Sequence, residues 1–390
     1  VERRRVAVTG LGVVASCGTG IDAFWQGLLS EAPVGPRDIP DFDPSPFFEN
    51  PKEARRSDRF TQFALAAAHQ ALAQAGEITA PPPRRGVFVG TGVGGINTLE
   101  EQIIVRFEKG ERRVSPFLVP MMMANAAPAA ISMKYGWQGP CENTVTACAA
   151  GTQSIGNAAR LIAYGRCDAV IAGGSESSIT PTAVAGFGNM TALSRTGVSR
   201  PFDAERDGFV IAEAAGILVL EAWEVAERRG ATILAEVLGS ASNADAHHIT
   251  APSPNGAGAI ACMELALEDA GLTPADIVHI NAHGTSTPLN DMAEAQAVAA
   301  LFGSPGPIVT STKGVTGHAL GAAGAIEAVA VILAMQHGVI PPTAGHTTPD
   351  PEMPAINLAT APTSWKPGPS LSNSFGFGGH NGTLVLGPAR

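Results

Sequence analysis

Aromatic residues are scarce in this chain, at 5% of 390 positions, and charged residues reach only 15%. With so few large rings, the interior has to be filled by small and aliphatic side chains, and the 45 glycines agree with tight packing. Cysteine is sparse too. Cys17, Cys141, Cys148, Cys167 and Cys262 are odd in number and contain no C-x-x-C pair, which argues against a disulfide framework or a zinc ribbon. No signal-peptide pattern and no uninterrupted apolar run of membrane length is present. No membrane association is therefore expected, and a reduced cytoplasmic setting is. Positive charge is in deficit, with a formal net charge of -10. That disfavours general nucleic-acid binding, and any acidic partner must dock on a local basic patch. Hydrophobic residues, by contrast, make up 45% of the chain, enough core for two domains or one large α/β unit.

Strand-like and helix-like stretches alternate. Residues 5–9, 86–89, 141–146, 168–174 and 214–221 read as strands, and 59–75, 121–135, 151–164 and 222–229 as helices. The second half repeats the grammar, with strands at 233–238, 277–282, 307–311, 370–377 and 380–386. Its helices are 256–270, 291–301 and 319–336. The alternation predicts an α/β protein with a largely parallel sheet. Residues 33–59, rich in proline and charge, read as an exposed excursion.

Two glycine runs resemble dinucleotide fingerprints, Gly10-Leu11-Gly12-Val13-Val14-Ala15 and Gly90-Thr91-Gly92-Val93-Gly94-Gly95. The first is not followed at once by a helix. The second has Arg112 and Arg113 where a ribose-binding acid should stand. Both are read as glycine turns, and a nicotinamide cofactor is disfavoured.

The chain is organised around Val145-Thr146-Ala147-Cys148-Ala149-Ala150-Gly151. A short strand precedes this stretch and a helix follows, so Cys148 sits at a strand-to-helix turn. Free backbone N–H groups and the positive helix end are expected there to lower the thiol pKa and make a nucleophile. The alternative is a buried cysteine packing as a small hydrophobe. Val315-Thr316-Gly317-His318 also precedes a helix, 318 − 148 = 170 residues later, as in a duplicated unit. His283 follows another buried strand, in Asn281-Ala282-His283-Gly284-Thr285-Ser286-Thr287-Pro288. In parallel α/β sheets, ligands gather at the carboxyl ends of strands, where all three side chains fall.

A thiol with two imidazoles suits thioester chemistry: the thiolate accepts an acyl group, and the two N–H donors stabilise an enolate oxygen. No carboxylate is obviously placed to orient a hydrolytic base, which disfavours a cysteine protease. A zinc site from His247, His248 and His283 is disfavoured as well, because neighbouring residues in a strand point apart.

The chain resembles an elongating (KAS II-like) β-ketoacyl-acyl carrier protein synthase of the thiolase superfamily over essentially its whole length. The likeness rests on Val8-Thr9-Gly10-Leu11-Gly12, Thr146-Ala147-Cys148-Ala149, Gly173-Gly174-Ser175-Glu176 and Ser199-Arg200-Pro201-Phe202-Asp203. It continues in Asn281-Ala282-His283-Gly284-Thr285, Thr316-Gly317-His318 and Asn373-Ser374-Phe375-Gly376-Phe377-Gly378-Gly379. The resemblance implies a five-layered αβαβα fold of two pseudo-symmetric halves, here residues 1–230 and 231–390, forming a homodimer. It implies Cys148 as acyl-accepting nucleophile and His283 with His318 assisting malonyl decarboxylation, supported by Lys313 and Glu327.

Thr285 and Thr287 would bind the phosphopantetheine arm of acyl carrier protein, and Phe375 and Phe377 would line the acyl site. Phe377 would gate the acyl pocket, its backbone N–H and that of Cys148 forming an oxyanion hole. Lys52, Arg55 and Arg56 would dock the carrier, with Lys109, Arg112 and Arg113 the alternative basic cluster. No cofactor or metal is implied beyond the carrier-borne substrates. Asp245 matches an acidic position near the site, and a plain loop hydrogen bond is the alternative reading. Gly314 and His380 depart from the usual serine and threonine. The expected reaction is decarboxylating Claisen condensation in fatty acid elongation. A polyketide ketosynthase subunit, or a non-catalytic carrier-binding subunit, is the alternative.

Overall fold

The computed structural model describes residues 3–390, and its principal strands fall into two sets of one topology. The first comprises β1 (Val6–Ala15), β2 (Arg85–Gly90), β3 (Cys141–Glu142), β4 (Ala169–Glu176) and β5 (Ala214–Ala222). The second comprises β6 (Ala235–Ala244), β7 (His279–Asn281), β8 (Ile308–Thr310), β9 (Ser370–Gly376) and β10 (His380–Pro388). Toward the centre the order is β3-β2-β4-β5-β1 in the first set and β8-β7-β9-β10-β6 in the second, with the two-residue strand Asn357–Leu358 flanking β8. Antiparallel pairing of β1 with β6 joins them.

In each set the three edge strands run parallel and the next two antiparallel. The sheet is therefore mixed, not largely parallel as the alternation of strands and helices suggested. One reason is local: only Phe377–Gly379 separate β9 from β10, too few residues for a helical crossover.

The helices that position the site are α1 (Arg59–Ala75), α2 (Ile96–Lys109), α3 (Ala150–Ala163), α4 (Ala257–Ala270), α5 (Pro288–Phe302), the single turn α6 (Lys313–Thr316) and α7 (Ala323–His337). Three large cores hold five layers together, the central one lying on both faces of the middle helices. Outermost on one side, Phe63, Leu65 and Ala67 of α1 pack on Val87, Ile171, Ile217 and Val219. Leu218 and Leu220 of β5 point the other way, as the strand period demands. They meet α3 and α7 in a central core with Leu384 and Leu386 of β10. On the far side, Val385 and Leu371 pack with Met263 and Leu267 of α4 and Val298 of α5. The result is the thiolase-like αβαβα arrangement. The stretch Leu320–His337 is apolar and long enough to cross a membrane, but it is the buried central helix of this stack.

Several local expectations change. Gly10 and Gly12 form no turn: they lie inside β1, where a Cβ on Gly12 would come within 1.8 Å of Ala67 O. Their role is close approach of strand to α1, whose alanines make that approach possible. The second glycine run does lead into a helix, α2, but its Gly92 N–H is taken by Glu176. Residues 121–135 form two short helices, Leu118–Met122 and Ala126–Tyr135, and only Cys141–Glu142 of 141–146 is strand.

The duplication has a different register from the one expected. Ala147 and Leu320 have φ of 49° and 43°, each begins a short turn, and α3 and α7 follow at Ala150 and Ala323. The offset is 320 − 147 = 173, so the counterpart of Cys148 is Gly321, while His318 stands three residues earlier.

Candidate active site

Cys148 lies in the turn Ala147–Ala149 that opens α3, and it is 7% exposed. His318 Nε2 stands 3.0 Å from its sulfur. The His283 ring meets the His318 ring edge to face, with centroids 5.2 Å apart. Behind them, Lys313 at the start of α6 contacts His283 Nδ1 at 3.3 Å and pairs with Glu327 of α7. An ammonium group is a donor only, so His283 Nδ1 is the acceptor in that contact. The proton of neutral His283 then resides on Nε2. The five side chains named from the sequence are thus brought together, each buried.

The backbone is held with equal care. Glu294 of α5 accepts from His283 N and Gly284 N, each at 2.8 Å, fixing the loop after β7. Glu176, at the end of β4, accepts from Gly92 N at 2.5 Å and Gly321 N at 3.0 Å, tying the second glycine run to the start of α7. No task for Glu294 or Glu176 is legible in the sequence, where Glu176 stands only as part of the Gly173-Gly174-Ser175-Glu176 motif. Gly376 fits tightly, since a Cβ would lie 3.0 Å from Cys148 N. That close approach aims the Phe377 N–H, with that of Cys148, at the sulfur.

Electrostatics correct one expectation. Burial pushes the Cys148 thiol up to about 11, even though Lys313 and the Phe377 N–H pull the other way. The helix end is close, but loss of water outweighs it. Burial holds His283 and His318 well below the ordinary imidazole range, and Lys313 deepens both shifts. Glu327 is raised to about 7 by burial against the attraction of Lys313. The resting site is a thiol beside two neutral imidazoles.

The triad opens on a cavity of about 390 Å³. Its lining includes the polar Thr285, Thr287, Asn290 and Asp245, and the Thr285 and Thr287 hydroxyls are 2.9 Å apart. It also includes the apolar Val93, Phe187, Met190, Phe209 and Leu320. Phe375 and Phe377 lie half-buried on the wall beside Cys148. Asp245 is engaged in the loop hydrogen bonds of its alternative reading, accepting from Asn381 Nδ2 at 2.7 Å and Ser253 N at 3.0 Å.

Gly314 has no room for serine, because a Cβ would meet Ala344 O at 1.9 Å. His380 begins β10 and packs over Gly378. His247 and His248 are exposed while His283 is buried, so that trio forms no metal site. The donor atoms of Cys148, His283 and His318 do lie within 4.8 Å of one another. A sulfur–nitrogen separation of 3.0 Å is hydrogen bonding, whereas two ligands of tetrahedral zinc stand about 3.5 Å apart. Lys52, Arg55 and Arg56 are exposed around the turn Pro51–Ala54, with Arg56 stacked on Phe117 at 4.3 Å.

A duplicated αβαβα fold with a thiol and two imidazoles where its halves meet defines a thiolase-fold acyl-transfer enzyme. Residues 34–226 match the family described as Beta-ketoacyl synthase, N-terminal domain, and residues 234–347 match Beta-ketoacyl synthase, C-terminal domain. The chain belongs to the β-ketoacyl synthase family. It is 44% identical to a 3-oxoacyl-[acyl-carrier-protein] synthase 2 of Synechocystis sp., covering 99% of this chain and 98% of that one. Among solved structures it resembles the ishigamide ketosynthase/chain length factor, with a TM-score of 0.94, 34% identity and all of both chains covered. It also resembles a ketosynthase bound to a hexaketide and in complex with a type II PKS acyl-carrier protein, with a TM-score of 0.90, 33% identity and both chains covered in full.

Proposed function

We propose that the chain catalyses decarboxylating Claisen condensation of an acyl thioester with malonyl-acyl carrier protein in fatty acid elongation, with Cys148 as nucleophile. The chain is an acyltransferase of the 3-oxoacyl-[acyl-carrier-protein] synthase kind. The observation that carries the residue roles is the 3.0 Å contact of His318 Nε2 with Cys148 Sγ, with the Lys313-oriented His283 ring beside it. In the first half-reaction, neutral His318 takes the thiol proton, sulfur attacks the acyl carbonyl, and the proton passes to the departing pantetheine thiol. The Cys148 and Phe377 N–H groups receive the carbonyl oxygen. In the second, the C–C bond to the malonyl carboxylate breaks and carbon dioxide leaves. His283 Nε2–H stabilises the enolate oxygen, and His318 adds a second donor once its proton has exchanged onto Nε2. The enolate carbon attacks the acyl group on Cys148, the carbon–sulfur bond breaks, and the released thiolate takes up one proton from solvent, the proton that decarboxylation consumes.

The paired hydroxyls of Thr285 and Thr287 suit the phosphopantetheine chain, and Phe375 and Phe377 border the acyl group. Glu327 holds Lys313. Substrates arrive on carrier protein, and no further cofactor enters this scheme. We assign residues 1–230 and 231–390 to the two halves, a division supported by the repeated strand order. Carrier docking falls to Lys52, Arg55 and Arg56, whose exposure supports it. Leu99, Ile103, Ile104 and Phe107 of α2 and the nearby Val119, Met123 and Met133 are exposed, an apolar face that suits a second copy of the chain. A polyketide ketosynthase would cover the same face with a different partner, a reading favoured by the similarity to ketosynthase/chain length factor structures.

One experiment addresses both readings. The purified chain is incubated alone with an acyl-carrier thioester, its intact mass is taken, and malonyl-carrier thioester is then added. An acyl adduct on Cys148 followed by condensed product is expected. No adduct would refute the nucleophile, and an adduct without condensation until a second protein is added would favour the polyketide reading.

A further inference from the structure

Arg37 lies in the proline-rich excursion, far in sequence from Cys148, Lys313 and His318, yet it is 3% exposed. A buried guanidinium ordinarily faces a carboxylate. Here all four side-chain hydrogen bonds run to main-chain carbonyls. Nε donates to Val315 O at 3.0 Å and Nη2 to Gly314 O at 3.4 Å, and the other two go to Gly35 O and Pro33 O. Gly314 and Val315 belong to α6, the single turn that starts at Lys313. His318 N, which would continue the helix by bonding to Gly314 O, turns instead to Val210 O at 2.7 Å. The guanidinium therefore caps carbonyls the turn leaves unsatisfied, at the end where a cation is favoured.

The main chain of Arg37 completes the arrangement. Its N–H donates to Ile211 O and its carbonyl accepts from Glu213 N, each at 3.0 Å. His318 O accepts from Ala212 N at 3.1 Å, so residues 210–213 are gripped by Arg37 and His318 together. Gly317, at φ +66°, is where the Arg37 stem presses closest: a Cβ there would meet Arg37 Cγ at 2.7 Å. The peptide just before His318 is thus packed directly on this side chain.

The geometry points to Arg37 as a positioning residue that fixes the backbone carrying Lys313 and His318, and so sets the register of the His318 imidazole on the Cys148 sulfur. The inference rests on the roles given above to His318 and Cys148. Arg37→Met removes the donors to Gly314 and Val315 and keeps the stem; Arg37→Lys keeps the charge but not the planar fork.

The test compares the full-length wild type, both Arg37 variants and His318→Ala. It reads the pH profile of Cys148 alkylation by iodoacetamide, resolved at peptide level, carbon dioxide release from malonyl-carrier thioester, and melting temperature. Arg37→Met should slow carbon dioxide release about tenfold to a hundredfold, the scale of a displaced positioning contact. It should also move the alkylation profile in the same direction as His318→Ala, with Arg37→Lys in between. A residue serving stability alone would lower the melting temperature and leave the profile of the folded enzyme unmoved. Folded Arg37 variants with a wild-type profile, beside a shifted His318→Ala, would overturn the positioning role and spare the reading of His318. An unshifted His318→Ala would overturn both. Failure of both Arg37 variants to fold would make Arg37 a stability residue and equally end the proposal.

Discussion

Replacing His283 by alanine separates the two half-reactions. The loop that carries the residue is held by main-chain bonds from His283 N and Gly284 N to Glu294, which alanine preserves. Lys313 keeps its pairing with Glu327, so no buried charge is orphaned. What disappears is one Nε2–H donor to the enolate oxygen. Losing one such donor costs about 3 kcal/mol, a fall of about a hundredfold in decarboxylation. Acylation depends on the contact of His318 with Cys148, which does not pass through His283, and should persist. The assay is labelled carbon dioxide release from malonyl-carrier thioester, with intact mass after exposure to an acyl-carrier thioester. Cys148→Gln is the mirror control: no acyl adduct, with decarboxylation retained. Undiminished carbon dioxide release from His283→Ala would refute the assignment.

Reversing Arg55 and Arg56 to glutamate should raise the apparent KM for carrier-bound substrate while leaving short thioester mimics almost unaffected; the wild-type KM should rise with salt as screening grows. Equal loss on both substrates would move these arginines from docking to folding. His279 is buried with both ring nitrogens unpartnered, stacked edge-on against Trp365, and burial holds its pKa to about 3. Its folded pKa lies below the unfolded value, so its stability contribution is full above about pH 6.5 and is lost as pH falls toward about 3. At pH 5 the loss is about 2 kcal/mol, and His279→Phe should remove it in urea unfolding compared at pH 7 and pH 5. An unchanged acid loss would show that other groups carry it.

Much of this protein is written locally in its sequence. The three reactive side chains were legible because each stands among small residues beside a strand or helix boundary, a pattern that survives without knowing its neighbours. Helices with strong periodicity were equally plain: residues 59–75 are the helix Arg59–Ala75. The site partners Lys313 and Glu327, by contrast, came from resemblance to a family, not from any local pattern. Other features depended on what the fold brings together. Gly10 and Gly12 look like a loop until α1 is laid against them. The offset between the halves is visible only when Gly321, not His318, is seen to occupy the place of Cys148.

Strand direction in the middle of the sheet also lay beyond local reading, because it depends on which ladders close between distant segments. So did the tasks of Glu294, Glu176 and Arg37, whose hydrogen bonds to the site backbone reach across ten residues to nearly three hundred. The thiol is the clearest case. Its local setting at a helix start favours a low pKa, yet the tertiary structure removes the water around it and pushes it up to about 11. Sequence spells out which groups are present and the backbone shape near each. Solvent exclusion and long-range contacts, which exist only once the layers close, decide their charge, orientation and partners.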